Sequence, residues 1–219
     1  MIPLGDASRK LRSFPIVTLL IIVLNAFMFY EELTLGDAFV QRWALIPAHI
    51  AQGRDLITIF TAMFMHAGWL HILGNMLFLW VFGPAMEDVM GPVSYLLFYL
   101  LGGVVATLAQ VYFMQGSTIP NLGASGAIAA VMGGFLITYP TDRIRTILII
   151  FIFIDITVIP AIILIGLWFL LQLLSGLGSM SDVQTGGVAY MAHVGGFIFG
   201  LLFARLFEST RLRARQGLA

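Results

Sequence analysis

The chain has 219 residues, of which 60% are hydrophobic and 10% are charged, and its formal net charge is zero. A soluble domain is nearer half apolar and a quarter charged, so this composition predicts one polytopic membrane domain. The balanced charge gives no reason to expect a nucleic acid as a partner. Because cysteine is absent, disulfides, thiolate metal sites and cysteine catalysis are excluded.

Six apolar stretches predict an all-α membrane protein, since a spanning helix needs about 20 mostly apolar residues. The first stretch is followed by further spans and lacks a small-residue cleavage site, so it is not a signal peptide. The fourth stretch is only about 15 residues long, or roughly 22 Å of helix. We expect it to begin at mid-membrane, where its start is buried in protein or lines a wet cavity. The six predicted spans are 14–30, 69–89, 93–114, 125–139, 158–175 and 187–207.

The connecting segments are unusually apolar. Residues 146–158 are dense in isoleucine, phenylalanine, threonine and valine, which favours an extended or interfacial segment. Pro160 suits the first turn of the helix that follows, because its missing N–H costs nothing there. This places Asp155 near a membrane interface, as a solvated carboxylate. The alternative is that Asp155 lies inside the membrane, where an acid is expected to have a functional role. We expect the 31–65 loop to be a folded outer segment that dips partly into the membrane.

The positive charges indicate an orientation. Apart from Arg42 and Arg54, every Lys and Arg precedes the first span, lies between spans four and five, or lies at or beyond the end of span six. The positive-inside rule then puts both termini in the cytoplasm, which requires an even number of spans. The predicted organisation is a cytoplasmic segment (1–13), a six-helix membrane domain (14–207) and a basic cytoplasmic tail (208–219).

Polar side chains at membrane depth carry the functional information. Ser125 opens the short fourth span, and a serine at a helix start is most often an N-cap. Its neighbours Gly123 and Gly126 allow other backbone or a substrate to approach closely. The unpaired N–H groups of a first helical turn can also stabilise an oxyanion.

His193 lies inside the sixth span. A lone membrane histidine is commonly just a hydrogen bond between helices. However, Ala192, Gly196 and Gly200 form a ridge of small residues on the same helix, and span four carries matching ridges. Such faces pack with their backbones close together, which would bring Ser125 Oγ to the imidazole. Simple helix packing or dimerisation is the alternative explanation of these ridges. The ridges of span four are Ser125, Ala129 and Gly133, and Gly126, Ala130 and Gly134.

A serine–histidine pair can work as nucleophile and general base. Asp182 is the only acid near His193 in sequence, so we predict a two-residue dyad rather than a triad. His71 and Asn75 lie four apart on one helical face and, with the Ser125 amide, can line an oxyanion hole. A structural polar clamp between helices is the alternative for these two side chains.

The other histidines have structural interpretations. His66 does not share a clear face with His71 and is predicted to be structural or interfacial. His49 is predicted to lie in a loop. Since no two histidines have clear metal-ligand spacing, neither a metal nor another cofactor is predicted.

Three motifs in order resemble the rhomboid family of intramembrane serine proteases, and the resemblance covers nearly the whole chain. They are His71-xxx-Asn75 within residues 65–75, the G-x-S-G motif at 123–126, and the histidine helix at 192–197. Residues 160–172, with Trp168 and Gln172, also resemble the fifth helix of bacterial members.

This resemblance implies that Ser125 is the nucleophile, that His193 is the general base, and that His71 and Asn75 stabilise the oxyanion. It also implies that Glu87 is a structural acid. The substrates would be transmembrane proteins, cut near the outer surface of the lipid bilayer by a multi-pass protein of a prokaryotic inner membrane.

Two features depart from the family pattern. The Trp-Arg pair that rhomboids commonly carry in the first loop is absent. Ala129 stands where many members have an aromatic residue packing on the histidine, which leaves the support of the His193 ring unassigned.

Two other functions stay open at this point: an inactive rhomboid-like protein that binds transmembrane clients, and a haem or proton-transport bundle. The second would need facing histidine pairs or acids at mid-depth. The sequence leaves the oligomeric state open. Span five and the glycine- and serine-containing 176–186 loop are the candidates for the element that moves to admit a substrate.

Overall fold

The computed structural model describes residues 1–150, 153–179 and 189–215, which form a mostly helical protein. Within these residues, five helices are long and apolar enough to cross a membrane, and α7 is a shorter apolar helix of 14 residues. The helices are α1 (Ile16–Leu35), α2 (Asp37–Trp43), α3 (Pro47–Ala51), α4 (Thr58–Thr61), α5 (Trp69–Met90), α6 (Pro92–Phe113), α7 (Ser125–Thr138), α8 (Ala161–Ser179), α9 (Tyr190–Phe207) and α10 (Thr210–Arg215).

The predicted spans agree with these helices except near their ends. Helix α1 continues beyond its predicted end to Leu35, and α8 continues to Ser179. The first part of the 176–186 loop is therefore helical. The rest of that loop, including Asp182, lies outside the described residues.

The prediction of a helical membrane bundle is confirmed in its main point, since the protein is mostly helical. The chain also forms a three-stranded antiparallel sheet, which an all-α description leaves out. Strand β1 (Ile2–Asp6) pairs with β2 (Arg143–Ile150), which pairs in turn with β3 (Phe153–Pro160). The β-branched residues that predicted an extended segment favour a pleated surface. Pro160 ends β3 instead of entering the first turn of α8.

The N-terminal strand, the β2–β3 hairpin and the C-terminal helix α10 meet at one end of the bundle. Backbone bonds link β1 to β2, and Ser209 N–H donates to the Val89 carbonyl at the end of α5. At the same end, Glu87 accepts bonds from the N–H groups of Val17 and Thr18, at 2.9 and 2.8 Å. Glu87 therefore satisfies the otherwise unpaired donors in the first turn of α1.

At the opposite end, the loop between α1 and α5 is folded, as predicted. It contains α2, α3, α4 and a 3₁₀ turn (Ala62–Phe64). Leu45 and Asn121 exchange two backbone hydrogen bonds, and Gly123 N–H donates to the Ala62 carbonyl at 2.9 Å. These bonds fix the segment that leads into α7.

Helices α7 and α9 pack backbone against backbone, as the ridges of small residues predict. A Cβ atom added to Gly196 would overlap the carbonyl oxygen of Gly126, and one added to Gly200 would overlap that of Ala130. Since no side chain fits at these two positions, the helices meet there by main-chain contact.

Candidate active site

Ser125 is the first residue of α7, and Ala124 is the N-cap. The interpretation of Ser125 as a capping side chain is therefore wrong. Its hydroxyl instead forms a hydrogen bond of 2.6 Å with Nε2 of His193. The close approach of α7 and α9 brings these two side chains together although they are 68 positions apart in the chain.

The partner of the other ring nitrogen of His193 determines which atom donates the hydrogen in this bond. Nδ1 lies 2.6 Å from Oε1 of Gln172 on α8, and a carbonyl oxygen can only accept. Nδ1 therefore carries the hydrogen in the neutral ring, and Nε2 is left as an acceptor. The Ser125 hydroxyl donates to Nε2, which is the arrangement that a general base requires.

Aromatic side chains support the ring of His193. The Trp168 ring on α8 lies 5.7 Å from it between centroids, and Tyr190 approaches it edge-on at 6.3 Å. Ala129 is fully buried. The aromatic support that Ala129 cannot supply thus comes from Trp168 on α8 and from Tyr190 on α9. Only the family resemblance pointed to Trp168 and Gln172, although a single amide in an otherwise apolar helix is itself a signal.

His71 faces the same space from α5. The Ala67 N–H lies 3.3 Å from Nδ1 of His71, so Nδ1 accepts and Nε2 carries the hydrogen in the neutral ring. Gly123, with a φ of +139°, leaves the space beside Nε2 open. A Cβ atom added there would lie 3.0 Å from His71 Nε2 and 3.5 Å from Ser125 Oγ.

Asn75 lies one turn further along α5. It is 8% exposed, and its Nδ2 is buried without a hydrogen-bond partner among the described residues. A buried amide donor left unpaired costs about 1–3 kcal/mol. Such a group is expected where an incoming acceptor will pair with it.

These side chains line one cavity of about 350 Å³. The four predicted site residues, Ser125, His193, His71 and Asn75, all contribute to its wall, together with Trp168 and Gln172. A second cavity of about 40 Å³ lies on another side of Ser125, beside Thr107 and Gln110. It is large enough for a water molecule.

The remaining histidines lie outside this cavity. His66 is 2% exposed, and its backbone N–H donates to the Glu32 carboxylate at 3.0 Å. Burial lowers the pKa of His66 to about 3, so its ring is neutral, and it contacts the ring of His71 at 5.2 Å. His49 lies in α3 rather than in a loop and pairs with Asp55 at 2.9 Å. In the part of the chain that the structure describes, no three acidic or histidine side chains are grouped to hold a metal ion.

Comparison with known proteins identifies similar chains. The family model of the Rhomboid domain matches residues 53–209. Rhomboid protease GluP of Bacillus subtilis is 32% identical over 87% of this chain and 34% of its own length. Rhomboid protease GlpG of Yersinia pestis is 29% identical over 91% of this chain and 64% of its own length.

A mitochondrial relative is also similar. Rhomboid protein 1, mitochondrial, of Saccharomyces cerevisiae is 26% identical over 81% of this chain and 49% of its own length. The chain therefore spans 34%, 64% and 49% of the lengths of these three relatives.

Proposed function

This chain belongs to the rhomboid family, and we propose that it is an intramembrane serine endopeptidase that uses Ser125 as nucleophile and His193 as general base. The observation that carries the proposal is the 2.6 Å hydrogen bond between Ser125 Oγ and His193 Nε2, with Gln172 Oε1 2.6 Å from the other ring nitrogen. The protease names of two similar chains support the same reaction class.

In the proposed reaction, Nε2 of His193 takes the hydroxyl proton as Ser125 Oγ attacks the carbonyl carbon of a peptide bond. The imidazolium then gives that proton to the leaving amine, and an acyl-serine remains. A water molecule deprotonated by the same nitrogen hydrolyses the acyl-serine. Gln172 accepts from Nδ1–H throughout, which keeps the ring in the productive tautomer and orientation.

The oxyanion is proposed to be stabilised by His71 Nε2–H and Asn75 Nδ2–H. The Ser125 amide, in the first turn of α7, is a third donor. Asn75 Nδ2 has no acceptor among the residues that the structure describes, which supports this role, since an oxyanion would supply one. Asn75→Ala should lower kcat by about 10²–10³-fold. An unchanged kcat would remove Asn75 from the oxyanion site.

We place the reaction inside the membrane, in a domain of six spans over residues 14–207. Helix α7 ends beside the sheet, and Ser125 lies ~21 Å away at the other end of the helix. In a hydrocarbon core of about 30 Å, this depth is nearer the outer surface if the sheet and both termini are cytoplasmic. The substrates are then transmembrane segments of other proteins, and the protein works in a prokaryotic inner membrane. The small cavity beside Gln110 would hold the hydrolytic water.

Cleavage of a panel of single-span membrane reporters in vesicles tests the proposal. The native chain should cut at least one reporter, whereas Ser125→Ala and His193→Ala should cut none. Ser175→Ala is the matched control, because Ser175 lies exposed on α8 and away from the cavity wall. Reporters that bind the native chain and stay intact would instead identify a client-binding protein without protease activity.

A further inference from the structure

The three-stranded sheet has one face that is apolar and exposed. The strand register pairs Ile147 with Ile156, Ile149 with Ile154, and Ile2 with Ile147, so these side chains share one face. Ile154 is 72% exposed and Ile156 is 61% exposed. These isoleucines form a continuous patch rather than scattered surface residues, and such patches mark interaction sites.

The opposite face packs on the protein along the middle strand. Ile144 and Thr146 point to that face and are fully buried, whereas Asp155 on β3 is exposed. The acids of the strands, Asp6 and Asp155, also belong to it, because their register partners are Ile144 and Leu148. The exposed face therefore carries no acidic side chain of the three strands, and it is directed away from the bundle.

The apolar face continues the lipid-facing surface of the membrane domain. Strand β3 passes directly into α8 at Pro160, and no charged residue lies between Val158 and the first turn of the helix. Val158 is 44% exposed, and Ile162 and Ile163 on α8 are 55% and 56% exposed. In a multi-pass membrane protein, exposed isoleucines on a spanning helix contact lipid. The same contact can extend along the sheet.

Two arginines lie on the same face of the sheet. Arg143 and Arg145 alternate with buried residues along β2, and both are exposed on the side of Ile147. Arginine forks bind phosphate oxygens, and basic side chains next to apolar surface are attracted to anionic lipid headgroups. The chemistry of the face therefore matches the boundary between headgroups and acyl chains.

We propose that this apolar sheet face lies in the headgroup boundary of the leaflet next to the chain termini, with both arginines on the phosphates of acidic phospholipids. The face consists of Ile2, Arg143, Arg145, Ile147, Ile149, Ile154, Ile156 and Val158. Among the described residues, no further strand pairs with the outer edges of β1 and β3, so the sheet does not suit the dry hydrocarbon core. The hydrated headgroup region satisfies the backbone groups of these edges and still covers the isoleucines. The sheet then anchors the inner end of α8.

The absence of cysteine allows a direct test on the full chain. Ile156→Cys and Asp155→Cys each introduce a single thiol on neighbouring positions of opposite faces. Each is labelled with an environment-sensitive fluorophore and reconstituted into vesicles of phosphatidylcholine and phosphatidylglycerol. Lipids with a spin label near the headgroup should quench the label at 156 several-fold more than the label at 155, and aqueous iodide should do the reverse. Equal quenching at both positions by both agents would overturn the proposal.

A double variant separates the effect of lipid charge from other causes of quenching. With the native arginines, quenching at 156 should increase when phosphatidylglycerol is added to pure phosphatidylcholine vesicles. The Arg143→Gln/Arg145→Gln variant should lose this increase while its thermal unfolding stays unchanged. An increase that survives in the variant would remove the arginines from the contact.

Self-association is the other way to cover the same face. Energy transfer between donor- and acceptor-labelled chains at 156 distinguishes it. Energy transfer that persists after dilution with excess lipid, together with protection from spin-labelled lipid, would show that a second copy covers the face and would overturn the proposal.

Discussion

Helices α8 and α9 both determine the position of the His193 ring, but they pack against the rest of the protein in different ways. Helix α9 carries the residue and contacts the α7 backbone at Gly196 and Gly200, and 44% of its span is buried. Helix α8 contacts the ring through the Gln172 and Trp168 side chains, and only 22% of its span is buried.

This difference separates two properties of the catalytic pair. The distance between Ser125 and His193 depends on main-chain contact, which has no freedom to adjust. The tautomer and tilt of the ring depend on side chains from a helix that mostly faces lipid. We therefore expect a change at the contact between the α7 and α9 backbones to lower activity strongly. A change in the α8 side chains that contact the ring should lower it less.

Gly200→Ala should have the largest effect. The added Cβ would meet the Ala130 carbonyl oxygen and lie 2.8 Å from the Gly134 nitrogen. Because backbone cannot move aside cheaply, overpacking of this kind costs about 1–3 kcal/mol or more. A shift of about 1 Å between the reacting groups can lower the rate by about 10²-fold. Thermal unfolding and reporter cleavage measure the two consequences.

Gly166→Ala is the matched control on α8. A Cβ at Gly166 would meet nothing within 4 Å. Alanine is better than glycine by about 0.5–1 kcal/mol inside a helix, so stability and cleavage should be kept or slightly improved. Equal behaviour of the two variants would show that backbone contact does not position the pair.

Gln172→Leu should have a smaller effect. It removes the acceptor for Nδ1–H without touching Ser125, and a neutral hydrogen bond is worth about 0.5–1.5 kcal/mol. We expect kcat to fall by up to about tenfold at an unchanged unfolding temperature. Gln172→Glu keeps an acceptor oxygen and should retain more activity than the leucine variant. Full activity of Gln172→Leu would remove Gln172 from the support of the ring.

The effect of His66 should appear in the pH dependence of stability. Its pKa falls from 6.5 to about 3 on folding, so the unfolded chain binds more protons between these values. This contribution to stability is complete above pH 6.5 and decreases as the pH falls toward 3, by at most about 1.4 kcal/mol per pH unit. The drop in unfolding temperature between pH 7 and pH 4 should be smaller in His66→Phe than in the native chain. Equal drops would contradict a buried neutral ring.

The sequence predicted the polar members of the site because lipid makes such residues rare. Ser125, His71, Asn75 and His193 stand out in apolar helices, and the ridges of small residues indicated which helices meet. The placement of these residues on helix faces follows from the helical periodicity of the sequence.

Other features depend on contacts that periodicity does not encode. Gln172 has no spacing relation to His193, so its bond to Nδ1 follows only from how α8 packs. The pairing of Ile2–Asp6 with β2 joins distant parts of the chain, and this short strand, with a proline and a glycine, lacks a clear alternating pattern. Helix α7 begins at Ser125, so the capping position falls one residue earlier, on Ala124. This shift of one residue leaves the Ser125 hydroxyl free to contact the imidazole instead of capping the helix.

Covalent labelling by a fluorophosphonate tests the central claim most directly, because it depends on the activated hydroxyl and on no choice of substrate. The native chain in vesicles should gain one label, on Ser125, and Ser125→Ala should gain none. His193→Ala should label far more slowly, while the control Ser175→Ala should label at the native rate. A native chain that stays unlabelled, or a label that persists in Ser125→Ala, would contradict the assignment of Ser125 as the nucleophile.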